Sequence, residues 1–447
     1  MTGMKFKFKF RDALLLVATL SVFILSIVLW VFVMSNDQYF SHINQANNVT
    51  QHQIRGRRNK SVYDLYMPTS SYQFEKGQLC RLYDSKNNLS LEFTREIRNV
   101  KFSSFKKVST SPAKYDRLLN NPNFLQLAYP DEITVDLFNS ENTKNKNHEF
   151  RRIFISASNK WFYAANDKTN TIYRIGLKKA DFSTLRRYAK NAKNKTPIKF
   201  VRLKSGYSEF YLEPTHWHIY SYLTNTQSDS YFVSRLLGTA KVAGRTTKNK
   251  WTTYSLNYYN KLRVPAANND SNNFLYTRYE KVRSLAPADY LVNSVYYVHR
   301  IGLSEQDLRF FDADSGVVSY TNYVEGIPVF LNRHDVQVRT DFSAESVLVA
   351  FNSVNLQIPI PFDGQTRTLP STESVVDQLT AKGLKRSDIQ RIIVGCGVEK
   401  DSSRSDLVNL LPTYYLKIAG QWRSLAEWEK QDFSLLEKSP QRVNGVK

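Results

Sequence analysis

The sequence predicts an α+β protein: a single N-terminal transmembrane helix followed by a multi-domain, mixed α+β extracytoplasmic region. Three observations carry this prediction. Residues 13–34 form an uninterrupted apolar run, ALLLVATLSVFILSIVLWVFVM, and no second run of that kind follows. Downstream, strand-like alternation and helix-like patterns interleave. They do so without a regular βαβ repeat or nucleotide-binding glycines.

The apolar run comes first in the argument. At 1.5 Å of rise per residue, about 22 residues span roughly 33 Å, enough for the ~30 Å hydrocarbon core. A helix is required there, because lipid cannot satisfy free backbone N–H and C=O groups. A cleaved signal peptide would have an apolar region of ~7–15 residues and a small-residue cleavage site. This run is longer and ends in VFVMSND, so it reads as a retained anchor. Lys5, Lys7, Lys9 and Arg11 crowd the N-terminal side and keep it cytoplasmic. The expected location is therefore the cell membrane, single-pass, with the bulk of the chain extracellular. Arg55, Arg57, Arg58 and Lys60 pull the other way, but they lie at the edge of the range where charge sets orientation.

After the anchor about 410 residues remain, room for two or three domains. A hydrophobic share of 42% and an aromatic share of 13% are enough to build cores. The lack of a second long apolar run argues against a transporter or channel. The formal net charge of +22 fits solvated surface charge or an anionic partner outside the membrane. For such a partner, wall polymer or lipid headgroups are expected rather than nucleic acid. Cys80 and Cys396 stand far apart, and a disulfide-stapled domain would carry more cysteines. Two separate buried thiols are expected, with one long-range bridge as the alternative.

The expected organisation is a cytoplasmic basic tip (1–12), the transmembrane helix (13–34) and a stalk (35–60). An N-terminal extracytoplasmic domain (61–195), a central α+β domain (196–305), a C-terminal α+β domain (306–435) and a tail (436–447) follow. SVYDLYMPTSSYQFEKG reads as short strands around Pro68 and a Lys76–Gly77 turn. RRIFISASNKWFYAAND reads as a hairpin turning at Ser158–Lys160. DFSTLRRYAK reads as a helix with Asp181 as N-cap. SDSYFVSRLLG and PSTESVVDQLTAKG are helices, capped by Ser228 or Asp229 and by Ser371 or Thr372. Gly238 and Gly383 end them. RIIVGCGVE reads as a buried strand and PTYYLKIAGQWRSL as a hairpin around Ala419–Gly420.

No HExxH, GxSxG, SxxK or Walker pattern occurs, and no catalytic residue, cofactor site or metal site is assigned. His216 and His218 share a strand face, but only Glu213 stands near as a third ligand. Asp312–Gly316 resembles a calcium loop, yet its glycine falls one place early and Tyr323 replaces the bidentate Glu. Both read better as ordinary surface histidines and a turn. Within the anchor, Ala18, Thr19, Val22, Ser26 and Leu29 fall within about 100° of a helical wheel. Small and hydroxyl side chains let helices approach and hydrogen-bond across the contact. The alternative is that Thr19 and Ser26 bond back to their own helix.

Taken in order, the lone anchor, SVYDLYMPT, GIPVF at Gly326–Phe330, IIVGCGV and LLPTYYLKIAGQW resemble the YycH (WalH) family. These are regulatory proteins of the YycFG/WalRK two-component system of low-GC Gram-positive bacteria. The resemblance runs along essentially the whole chain in order and spacing, and none of its motifs is catalytic. It implies a three-part extracytoplasmic region whose two C-terminal parts share a topology. It implies a non-enzymatic regulator of cell-wall metabolism that contacts a membrane sensor histidine kinase (YycG/WalK-like), partly through transmembrane helices. The sign of that regulation differs between members. A shorter YycI-like sister regulator is a further expected partner. On this footing the five-residue anchor face becomes the candidate kinase-docking surface. The alternative function is a binding module for anionic wall polymer or lipid. The final hairpin departs from the family's usual Asn-Gly. Because Ala419 resists positive φ, a type I turn with a bulge at Gly420 is expected there.

Overall fold

A computed structural model describes residues 19, 21–26, 60–138, 148–238, 244–266, 269, 271–280, 285–303, 306–331, 335–360 and 365–434. The folded body is mixed α+β and rich in sheet, as the patterning predicts.

The first described element of the folded body is α1 (Val62–Leu65), where the sequence reading placed a strand. Ser61 and Asp64 form a capping box, which satisfies the Ser61 and Asp64 N–H groups at the start of that single turn. A first sheet of nine strands follows: β1 (Ser70–Glu75), β2 (Gln78–Tyr83), β3 (Lys101–Ser109), β4 (Leu125–Thr134), β5 (Glu149–Ile155), β6 (Trp161–Asn166), β7 (Thr171–Lys178), β8 (Asn194–Leu203) and β9 (Gly206–Tyr211). Its order is β3-β7-β6-β5-β4-β1-β2-β8-β9, all antiparallel. The Ser158–Lys160 hairpin is present between β5 and β6. Three helices accompany it: α2 (Leu89–Asn99), α3 (Pro112–Leu119) and α4 (Ser183–Lys190). Asp181 serves α4 from one place further out than expected, its carboxylate accepting the Ser183 N–H at 2.9 Å.

After the short β10 (Thr215–His218), the chain builds a fourteen-stranded sheet. It uses β11 (Tyr220–Thr226), β12 (Gly244–Lys248), β13 (Trp251–Ser255), β14 (Asn260–Pro265), β15 (Asn273–Tyr279), β16 (Leu308–Asp314), β17 (Val317–Val324), β18 (Ile327–Phe330), β19 (Val338–Phe342), β20 (Ser346–Asn352) and β21 (Val354–Ile360). It then adds β23 (Ile389–Lys400), β24 (Leu407–Ile418) and β25 (Gln421–Ser424), while β22 (Thr366–Leu369) pairs with β10. Helices α5 (Asp229–Leu237), α6 (Pro287–Ile301), α7 (Thr372–Ala381) and α8 (Leu425–Trp428) follow, and short 3-10 turns lie at Val135–Leu137 and Arg386–Asp388. Ser228 caps α5 and Ser371 caps α7 through their side chains, in each case one of the two candidates the sequence offers. Pairing of β15 with β20 joins strands from residues 196–305 and 306–435 in one sheet.

Strand β18 is the GIPVF segment, and it lies parallel to β23 with Val329 opposite Cys396. Two glycines make room for it. Gly326 (φ +75°) turns the chain from β17 into β18, and a Cβ there would sit 2.9 Å from the Thr69 carbonyl oxygen. Gly395 leaves space for Phe330, whose ring a Cβ would meet at 2.8 Å. Phe330 stacks on Tyr415 with ring centroids 3.7 Å apart.

The final hairpin corrects the sequence expectation. Ile418 pairs with Gln421, so the loop is only two residues, and Ala419 (φ +49°) and Gly420 (φ +78°) are both left-handed. That is the I′ geometry whose twist matches the flanking strands. Strand register outweighs the reluctance of Ala419. Ala419→Gly should therefore raise unfolding stability by about 0.5–1 kcal/mol, and Gly326→Ala should lower it by about 1–3 kcal/mol. Denaturant unfolding checks both; a destabilised Ala419→Gly variant would contradict the turn assignment.

Candidate functional site

The docking face expected on the predicted transmembrane helix is only partly described. Residues 21–26 and Thr19 are helical and exposed, with Val22 at 67% of its full accessibility. Thr19, Val22 and Ser26 recur at spacings of three and four, which places them on one side of that helix. Ala18 and Leu29 lie outside the described residues. Phe23, Ile24 and Leu25 are also exposed, so apolar side chains are not confined to that side. Among the described residues no helix is long and apolar enough to cross a membrane.

The folded body contains a second, larger feature that the sequence reading missed. The two sheets meet along a seam of buried charge. On β23, Arg391 is 3% exposed and donates to the Asp131 carboxylate on β4, to Glu132 at 3.2 Å and to the Pro130 carbonyl at 2.6 Å. Asp131 also accepts the Ala313 N–H of β16 at 3.0 Å. Lys168 reaches Glu132 at 2.8 Å, and Lys417 of β24 reaches Asp312 of β16 at 2.7 Å. Beside this group, Asp167 holds Arg151 at 3.0 Å and Arg152 at 2.9 Å, and Tyr115 donates to the same carboxylate. Arg81 pairs with Glu209 at 3.0 Å and donates to the Gly326 carbonyl at 3.3 Å.

Burial disfavours every one of these charges, so the pairing decides their state. Burial pushes the Asp131 carboxyl up, but Arg391 outweighs it and holds Asp131 well below the usual carboxylate range. Burial also opposes Asp167, and Arg152 with Arg151 hold it down in the same way. Glu132 goes the other way: burial, then the adjacent Asp131 charge, raises its pKa. The only sequence trace of this seam is a charge set inside an apolar strand pattern, as in RRIFI and QRIIVG.

The segments that carry the family resemblance converge here. Thr69 ends SVYDLYMPT and touches Gly326, which begins GIPVF. Phe330 ends GIPVF and packs on Gly395 and Tyr415 of the last two motifs. Tyr66 hydroxyl bonds to the Leu291 carbonyl and the Tyr320 hydroxyl, each at 2.7 Å, tying the entry segment to α6 and β17. Between the sheets lies a cavity of about 50 Å³, lined by residues that include Tyr72, Arg81, Arg151, Arg152, Glu209 and Trp422.

The other sequence candidates lie elsewhere. His216 and His218 are exposed on β10, with His216 Nδ1 2.9 Å from Thr368 Oγ1. Among the described residues no group of three His, Cys, Asp or Glu side chains is set to hold a metal ion. Ser315 and Gly316 form the two-residue turn between β16 and β17, and Asp312 serves Lys417. Cys80 and Cys396 are both free and buried, in different sheets, as the spacing predicts.

Arg391→Ala leaves Asp131 buried without its main partner and should cost about 3–5 kcal/mol in denaturant unfolding at neutral pH. A loss below about 1 kcal/mol would show that the seam does not hold the sheets together. The raised pKa of Glu132 means the folded state keeps a proton that the unfolded state releases near 4.5. Stability from this group is therefore full below 4.5 and is lost as pH rises through the folded value. Glu132→Gln should match the wild-type melting temperature in acid and exceed it by a margin that grows with pH.

Comparison with known proteins follows the same lines as the geometry. A family model described as "YycH protein, C-terminal domain" matches residues 208–432. Among solved structures, the crystal structure of YycH from Bacillus subtilis superposes with a TM-score of 0.67 at 13% identity. That match covers 82% of this chain and 98% of the other. No curated protein sequence matches. The matched residues include GIPVF, IIVGCGV and LLPTYYLKIAGQW, the strands and hairpin that build the C-terminal side of the seam, and the chain belongs to the YycH family.

Proposed function

We propose that the chain is a membrane-anchored regulator of a two-component sensor histidine kinase of the YycG/WalK type, controlling cell-wall metabolism. Membership of the YycH family carries the reading, since this family regulates the YycFG/WalRK system and is not a family of enzymes. The regulator acts by protein contact, with a YycI-like sister protein as second partner. Residues 13–34 cross the cell membrane with the N-terminus cytoplasmic, and the folded body lies outside. The face formed by Ala18, Thr19, Val22, Ser26 and Leu29 docks on kinase transmembrane helices, where small and hydroxyl side chains permit close approach. A structural parallel between the two C-terminal parts also fits this reading: α6 and α7 each lead into a long antiparallel hairpin, β16–β17 and β23–β24.

One observation favours a second role, contact with anionic wall polymer or lipid. The β12–β14 segment, residues 244–266, carries Arg245, Lys248, Lys250, Lys261 and Arg263 and no acidic residue. Tyr258 and Tyr259 on it are exposed, and Lys261 lies over the Tyr258 ring at 4.9 Å. Exposed tyrosines beside cations suit a polar, anionic surface.

The Ala18/Thr19/Ser26→Leu triple variant should lose co-purification of the kinase and shift regulon output toward that of a deletion. Unchanged co-purification and output would end the helix-docking proposal. For the second role, the full-length chain should bind purified anionic wall polymer at low salt and release it as salt rises. Lys248/Lys250/Lys261→Glu should abolish that binding, and retention unaffected by salt or by these changes would contradict it.

A further inference from the structure

The outward face of strands β12–β15 carries a track of cations that no described carboxylate answers. Cross-strand partners share a face, and alternation along a strand settles which face that is. Leu262 and Val264 of β14 and Tyr276 of β15 are buried in the core. Lys261 and Arg263 alternate with them in β14, so they share the outward face with their β13 partners Ser255 and Thr253. Trp251 is on that face too, opposite Lys248 of β12. Arg263 lies over the Trp251 ring at 5.1 Å, and Lys261 lies over the rings of Tyr258 at 4.9 Å and Tyr279 at 5.5 Å. These rings hold both cations in place without neutralising them.

Among the described residues, none of Lys248, Lys250, Lys261 and Arg263 pairs with a carboxylate. Surface cations elsewhere do pair: Lys199 and Arg386 share Glu373, and Arg404 holds Asp406. Along the row of cross-strand partners from Lys261, through Thr277 and Leu348, the first acid is Asp341 of β19. It stands three strands away, roughly 14 Å at the usual strand spacing, which exceeds the ~8 Å screening length. The hairpin from β12 to β13 brings a further cation. Its two-residue loop puts Asn249 (φ +51°) and Lys250 (φ +62°) in the left-handed region, where glycine is the usual second residue. The Lys250 carbonyl accepts the Ala266 N–H at 3.0 Å and Asn269 Nδ2 at 2.9 Å, which fixes the tip.

We infer that this face binds a linear polyanion of the polyol-phosphate class, laid across β12–β14 from the Lys248–Lys250 tip past Arg263 to Lys261. The inference rests on the second role proposed above and names its ligand. Spacing decides for a chain over a single anion. Lys248 and Lys261 are separated by four residues along the strands and by two strand spacings across them. That is roughly 16 Å, so one small anion meets one of them and a chain meets both. Chemistry decides for a polyol chain over a bilayer. The side chains between the cations include the hydroxyls of Thr246, Thr253 and Ser255, which can bond to polyol and phosphate oxygens and gain nothing from acyl chains.

Isothermal titration calorimetry tests this on the full-length chain held in neutral phosphatidylcholine nanodiscs. The titrants are a short poly(glycerol phosphate) chain, monomeric glycerol phosphate and polyglutamate, and co-sedimentation with phosphatidylglycerol vesicles supplies the lipid arm. The polymer should bind saturably and roughly a hundredfold tighter than the monomer, because its later contacts are intramolecular. Lys261→Gln and Arg263→Gln should each weaken it several-fold with the circular dichroism unchanged. Each should also lower the slope of log affinity against log salt by about 0.7, one counterion-releasing contact on a single-stranded polyanion. Polymer bound no tighter than monomer, or bound equally by both variants, overturns the proposal while the broader contact with an anionic partner stands. Vesicles bound in preference to polymer overturn it in favour of lipid, and polyglutamate bound as tightly overturns the ligand class. No binding in any arm removes this proposal and the second role together.

Discussion

Charge buried between two sheets has to be paired, and the architecture of this protein follows from how that requirement is met. Arg391 projects from β23 into a region where its guanidinium is shut off from water. It is tolerated because Asp131, Glu132 and the Pro130 carbonyl are brought to it from β4. That forces β4 and β23 together, and the Ala313 N–H of β16 completes the Asp131 shell. The apolar cores follow the same seam. Tyr72, Leu79, Ile198 and Phe210 of the first sheet share one core with Val329, Ile392 and Leu416 of the second and with Val375 of α7. Phe93, Leu127 and Phe150 share another with Leu291, Val295 and Tyr320. Each sheet therefore completes its burial with the other.

Much of the local structure was legible in the sequence, because the signals are local. Ser228 and Ser371 cap their helices and Gly383 follows α7, since capping chemistry is decided within one turn. The Ser158–Lys160 hairpin followed from alternation alone. The errors have physical causes. The Ser61–Asp64 capping box was present in SVYD, but the apolar residues beside it read as a strand. At Ala419 the backbone preference of one residue was set against the register of a long hairpin, and the register won. The seam was illegible for a different reason. Arg391 and Asp131 are 260 residues apart, and nothing local tells a charge destined for a partner from a charge destined for solvent. Of the face expected on the predicted transmembrane helix, Thr19, Val22 and Ser26 are among the described residues and Ala18 and Leu29 are not.

The described residues comprise a short exposed helical stretch, Thr19 and residues 21–26, and a large folded body. A likeness at 13% identity speaks for the fold, and the family match over residues 208–432 speaks for membership. The physical contribution of the body is a fused pair of sheets.

The fused seam is the central claim, and native-state hydrogen exchange on the wild-type full-length chain tests it most directly. If the sheets stand or fall together, the slowest amides of β4 and β5 and those of β23 and β24 will exchange at a common free energy of opening. If the two sets open at clearly different free energies, each sheet is stable without the other and the account of the seam is wrong.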